Sequence, residues 1–211
     1  MKIITISREF GSGGRELGKR LADVLGFDYY DREIITAIAQ SQGLSEAYVE
    51  KMLDHQAPLA VPITFRHSFS VPMIMNQPQT DLLIEQRKIM ENIAQSNRDC
   101  IIVGRNADVI LHQYNPLRIF VCADMESKVQ RCMERADLGE KLSRRELEQN
   151  IRRIDKNRAK TRELICDQKW SDPSTYDLTV NTSGWDIKHL TPAVAEFVSR
   201  WFTARNGNQT I

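Results

Sequence analysis

The sequence predicts an α/β fold, a parallel β-sheet flanked by helices on both faces, and three observations predict it. First, the runs at 3–6, 100–103 and 117–122 are apolar but for Thr5 and Arg118, as befits strands covered on both faces. Second, segments with apolar residues at three- and four-residue spacing separate these runs, so strands and helices alternate along the chain. Third, a turn carrying Gly11, Gly13 and Gly14 joins the first run to the first helical segment. A buried strand, a glycine-rich turn and a helix start together form an anion cradle. The glycines let backbone N–H groups fold inward, and the helix adds its positive dipole end. At 211 residues the chain buries one substantial core, so a single domain with insertions is expected over 1–211.

The elements follow in order. The strand at 3–6 is too apolar to be half exposed, and Leu17, Leu21, Val24 and Leu25 mark the helix after it. Residues 26–31 close that helix and begin a second short strand. A helix over 32–40 turns Ile34, Ile35 and Ile38 inward, and Ser45 caps another that runs to about 54. From 55 to 79, Pro58, Pro62, Pro72 and Pro78 break any long element, while apolar residues stay common. This stretch reads as an insertion or lid-like excursion, and it suits a contact between two copies of the chain in a homodimer. His55 and His67 lie in it without a third ligand nearby and read as loop histidines. Beyond it come a helix over 80–96, a strand over 99–103 that ends in Gly104-Arg105-Asn106, and a helical piece at 107–112. A strand at 117–122, helices at 124–136 and 143–165, a last strand at 176–181 and a last helix at 186–202 complete the chain.

Composition excludes some partners. Lys and Arg total 29 against 28 Asp and Glu, a net charge of +1, which gives no argument for nucleic acid or a membrane surface. The four cysteines show no Cys-x-x-Cys spacing and read as buried free thiols. The N-terminus enters a core strand at once, leaving no room for a signal peptide, and no apolar run approaches the ~18 residues of a membrane span. The expectation is a cytoplasmic protein.

Ligands of such sheets bind at the carboxyl ends of the strands. Residues 7–14, Asp31, Arg32, 104–106 and Asp124 all fall at such ends. The usual phosphate loop reads Gly, four residues, Gly, Lys, then Ser or Thr. With Gly14 as its second glycine, Arg15 takes the lysine position, Glu16 the Ser/Thr position and Glu9 the first glycine position. With Gly13 instead, the lysine position holds Gly14 and the first position Arg8. The first alignment keeps a cation at the phosphates, and arginine's planar fork suits them. Ser12 is then the nearest hydroxyl for magnesium. Between Lys128 and Arg162 stand twelve cations and six acids, mostly a solvated helical face with internal pairs such as Glu148 with Arg152. Leu147, Ile151 and Ile154 form an apolar stripe whose next position is Arg158. A cation there needs an anion, either Asp155 or a phosphate of substrate or transition state.

The run Ser7-Arg8-Glu9-Phe10-Gly11-Ser12-Gly13-Gly14-Arg15-Glu16, followed by Tyr29-Tyr30-Asp31-Arg32-Glu33-Ile34-Ile35, resembles the cytidylate kinase-like family of nucleoside monophosphate kinases. Gly104-Arg105-Asn106, the Arg131 segment and Asp155 to Arg158 extend the resemblance over nearly the whole chain. It implies a P-loop kinase fold with an acceptor-binding insertion at about 31–97 and a helical lid at about 131–165. It also implies ATP as donor, Mg2+, and a nucleoside monophosphate, CMP or dCMP, as small-molecule acceptor. Gly11, Ser12, Gly13, Gly14, Arg15 and Glu16 would then hold ATP, with Ser12 on the metal. Arg15, Arg131, Asp155 and Arg158 would serve the transfer, and Asp31, Arg32, Arg105 and Asn106 the acceptor. The chain departs from cytidylate kinases at Asn106, where they carry Asp. It also lacks the loop Lys-Gly-Thr, and Ala37 stands about where they place a further acceptor-binding arginine. These departures keep two alternatives in view: a nucleotide-sensing protein without turnover, and a kinase of another small metabolite.

Overall fold

The computed structural model describes residues 1–54, 77–135 and 142–207. Its strands are β1 (Ile3–Arg8), β2 (Asp28–Tyr30), β3 (Cys100–Val103), β4 (Leu117–Cys122) and β5 (Leu178–Asn181). They pair in parallel in the order β2-β3-β1-β4-β5. The helices are α1 (Gly14–Leu25), α2 (Glu33–Gln42), α3 (Glu46–Asp54), α4 (Gln77–Gln95), α5 (Ala107–Ile110), α6 (Met125–Arg135), α7 (Arg144–Ile165) and α8 (Ile187–Gly207). This is the expected fold, a five-stranded parallel sheet flanked by helices in the manner of P-loop kinases. Most of the proline-rich stretch, with His55 and His67, lies outside the described residues.

Strand side chains alternate between the two faces. Ile4, Ile6, Ile101 and Val103 pack with Leu17 and Leu21 of α1 and with Val194 and Val198 of α8. Ile3, Cys100 and Ile102 point the other way, against Ile34 and Ile38 of α2, Val49 of α3 and Met90 of α4. Burial on both faces explains why these strands read as continuous apolar runs. β1 is central, with β3 and β4 on either side, so the chain leaves it in opposite directions and opens a crevice at its carboxyl end.

Local signals set several helix ends. Ser143 and Glu146 form a reciprocal capping box that starts α7. Gly26 and Gly43 close α1 and α2 in the left-handed region, at φ 69° and 64°. Pro78, expected to break structure, instead occupies the first turn of α4, where a missing N–H costs nothing. Tyr176 does not join β5; its ring stacks on Phe120, centroids 4.9 Å apart, beside Trp170. The four cysteines are free, but burial holds fully for Cys100 alone.

The long helix α7 is fixed to the sheet by a buried ion pair. Arg162 Nη1 donates to Asp108 of α5 at 2.5 Å, and the side chains are 1% and 2% exposed. The cation that the apolar stripe buries is therefore Arg162, one turn beyond the expected Arg158. Removing one partner of such a pair leaves an uncompensated buried charge. Asp108→Ala should cost about 3–5 kcal/mol, read as a lower urea midpoint. A simultaneous Arg162→Met should recover much of the loss; a fully additive double mutant would show that the two residues do not act as a pair.

Candidate active site

β1 ends at Arg8, and the chain turns through 9–13 into α1. Gly11 and Gly13 take left-handed φ of 76° and 80°. Gly14 stands so close beneath Arg8 that an added Cβ would lie 2.6 Å from the Arg8 Cβ. The first N–H groups of α1 lack partners within the helix and face the crevice. The Ser12 hydroxyl does not. It is buried, donating to the Glu9 carbonyl at 2.8 Å, so it braces the turn and is not presented to a metal. Glu16, expected on the nucleotide, is tied instead to Arg20 and Arg135 on the flank of α1.

Two cavities meet at this loop. The larger, about 820 Å³, is lined by Gly11, Gly13, Gly14 and Arg131, with apolar walls from Phe10, Met133, Leu142, Leu147 and Ile154. The smaller, about 510 Å³, is lined by Arg105, Asn106, Glu50, Lys51, Gln86 and Trp170. Arg8, Phe10, Arg15, Arg153, Ile154 and Arg158 line both. The Leu147 and Ile154 positions of the α7 stripe thus form cavity wall, and Ile151 alone of the three is fully buried.

The shared wall is cationic. Asp31, 8% exposed, pairs with Arg15 and lies 3.4 Å from Arg8 Nη2. Burial, and then the charge of Arg158, push the Arg8 guanidinium down to about 9; Asp31 opposes the shift and Arg15 and Arg105 add to it. Its bed is built by the turn after β3. Gly104, Arg105 and Asn106 stand in succession at φ 80°, 57° and 53°. A Cβ at Gly104 would lie 1.7 Å from Arg8 Nη1 and would push the guanidinium aside, and the φ of 80° also favours glycine there. Two consecutive non-glycine residues in the left-handed region are strained, and such strain gathers at functional sites. Gln86, buried in α4, donates to the Arg105 carbonyl at 3.1 Å and holds the turn.

Helices α6 and α7 grip the loop from the other side. Asp155 accepts the Phe10 N–H at 2.7 Å, and Arg158 donates to the Arg8 carbonyl at 2.9 Å while lying 3.4 Å from Asp155. Burial pushes the Asp155 carboxyl up, opposed by the Phe10 hydrogen bond. Lys128 of α6, itself buried, reaches Glu9 at 3.0 Å and Asp155 at 3.7 Å. Arg131 donates to the Thr182 hydroxyl and to the Thr182 and Trp185 carbonyls, and burial lowers its pKa. On the outer face Glu148 accepts from Arg144 at 3.2 Å.

Most expected site residues therefore converge: Gly11, Gly13, Gly14, Arg15, Arg131 and Arg158 on the larger cavity, Arg105 and Asn106 on the smaller, with Asp31 and Asp155 as anchoring carboxylates. Arg32 does not converge. It is exposed at the start of α2, in a shallow depression outside both cavities that Arg15 and Asp31 also line. Arg8 and Lys128 were missed as site residues, although a charge closing an otherwise apolar central strand was a visible signal for Arg8. Among the described residues no cluster of three His, Cys, Asp or Glu side chains could hold a metal. No described helix is long and apolar enough to cross a membrane.

Comparison with known proteins agrees with this architecture. The chain is 22% identical to a cytidylate kinase of Halobacterium salinarum over 209 residues, 99% of this chain and 95% of that protein. It superposes on a crystal structure of an uncharacterized protein from Eubacterium ventriosum with a TM-score of 0.69 at 24% identity, over 94% of this chain and 99% of that one. It superposes on the shikimate kinase of Bacteroides thetaiotaomicron with a TM-score of 0.58 at 13% identity, over 94% and 98% of the two chains. Residues 3–184 match the model of the cytidylate kinase-like family, and the chain belongs to that family.

Proposed function

We propose that the chain is an ATP-dependent nucleoside monophosphate kinase that transfers the γ-phosphoryl group of ATP to CMP or dCMP. The observation that carries this reading is the pair of cavities sharing one wall of arginines. A two-substrate transfer needs two pockets whose reactive ends meet, with positive charge where they do. The larger cavity takes ATP, its phosphates against the glycine loop and its base among Phe10, Met133, Leu142 and Leu147. The smaller takes the acceptor, its phosphate on Arg105 and its polar groups within reach of Asn106 and Gln86. In this reading residues 31–97 include the acceptor-binding insertion, and 131–165 form the lid.

The side chains then divide the work. Arg15 replaces the loop lysine, Arg131 meets the phosphates from α6, and Arg158 closes on the transferring group with Asp155 setting its position. Mg2+, if supplied with ATP, would neutralise charge on its phosphates. Ser12 is not available to it, and no step is assigned to the metal. A second reading, phosphorylation of another small anionic metabolite, is favoured by the absence of a cation at Ala37 of α2.

A coupled assay with ATP across the nucleoside monophosphates, with non-nucleotide acceptors alongside, tests the proposal. It expects CMP and dCMP to lead; turnover confined to a non-nucleotide acceptor supports the second reading, and no turnover on any contradicts both. Arg105→Ala should raise the KM for the monophosphate by about tenfold or more, since a charge-assisted phosphate contact is lost, with little change for ATP. Equal movement of both constants would remove the assignment. Arg158→Ala should lower kcat far more than it raises either KM, because its contact strengthens in the transition state. Thermal unfolding measured alongside separates this from a fold that has lost the tie to the Arg8 carbonyl.

A further inference from the structure

The division of work above leaves Arg8 without a task, although it is the most deliberately housed side chain of the site. Its guanidinium carries five N–H donors. Among the described residues its hydrogen-bond partner is Asp31 at 3.4 Å, a long contact to a carboxylate already taken by Arg15. Three further guanidiniums, of Arg158, Arg15 and Arg105, all act against its charge. The turn after β3 makes room for it through a glycine and two strained residues. A protein gains no stability from burying an under-paired cation among cations. The arrangement fits a group that waits for an anion supplied from outside. Its place in the fold says which anion, because Arg8 lines both cavities at the point where they join.

We infer that Arg8 binds the γ-phosphoryl group in transit between the two cavities, a second guanidinium beside Arg15, which takes the place of the loop lysine. This rests on the kinase reading. In the transfer, an acceptor phosphate oxygen forms a bond to the γ-phosphorus while the bond from that phosphorus to the β–γ bridging oxygen breaks, and ADP leaves with the electron pair. Negative charge spreads over the equatorial oxygens of the moving group. A planar fork fixed at the end of the central strand donates to two of them at once. Arg15 is thereby left to the phosphates nearer the loop, where its bond to Asp31 is exchanged for one to ATP.

Titration calorimetry with Mg-ATP and Mg-ADP on wild type, Arg8→Met and Arg8→Lys tests this. Only ATP carries the γ-phosphoryl, so Arg8→Met should weaken ATP by about tenfold or more and leave ADP nearly unchanged. Arg8→Lys, which keeps the charge and loses the fork, should fall between. The ligand-free melting temperature of Arg8→Met should not drop, because like-charge repulsion is relieved. If the mutant keeps the wild-type ratio of ATP to ADP affinity, the inference is wrong and the kinase reading stands. A lower ligand-free melting temperature with both nucleotides weakened equally would make Arg8 a structural partner of Asp31. Wild type that binds neither nucleotide would overturn the kinase reading, and this inference with it.

Discussion

One buried carboxylate holds the cationic wall together. Asp31 closes the short strand β2 and takes two guanidiniums, those of Arg8 and Arg15. Two cations on one anion leave a net positive charge around the largely buried Arg8, and Arg105 and Arg158 raise it further. Such a cluster is costly unless an anion completes it. The burial of β1, the left-handed turn after β3 and the bed under Arg8 all place this excess charge where the two cavities meet. Site and fold are therefore coupled at Asp31. Its carboxylate holds Arg8 and Arg15 side by side at the end of the central strand.

The loop itself departs from the usual phosphate cradle in how it is braced. Where a loop lysine would stand free to meet phosphate, Arg15 is engaged with Asp31. The buried lysine, Lys128, lies behind the turn against Glu9 and Asp155. Glu9 also accepts the Ala123 N–H at 3.1 Å, so the loop is tied to the end of β4 as well as to α6 and α7. Asp155 on the Phe10 amide and Arg158 on the Arg8 carbonyl complete the bracing from α7. Movement of α7 would thus be felt at once in the glycine loop.

Much of this was legible in the sequence, for identifiable reasons. Strands buried on both faces leave nearly continuous apolar runs, so β1, β3 and β4 could be placed, and the capping signal at Ser45 gave the start of α3. What escaped were partnerships distant in sequence. Asp108, which neutralises Arg162, lies 54 residues before it, so a search confined to α7 found Asp155 and stopped one turn early at Arg158. Ser12 was named for magnesium because it carries a hydroxyl; its backbone turns that hydroxyl onto the Glu9 carbonyl, which spacing alone does not reveal. Arg32 stands beside Asp31 in sequence and lines the same outer depression, yet it is exposed where Asp31 is buried, and it reaches neither cavity. Tyr176 carries a strand-like pattern but packs on Phe120, since an aromatic ring finds more burial there than at the edge of the sheet.

The wall around Arg8 is read here as a polyanion site, and anion-dependent unfolding tests that reading without assuming any acceptor. Inorganic tripolyphosphate binds only a site that offers convergent cations, and it stabilises the folded state through linkage. The account predicts a melting temperature that climbs with tripolyphosphate and saturates, well above the value in sodium chloride of matched ionic strength. Coincident curves in the two salts would contradict it.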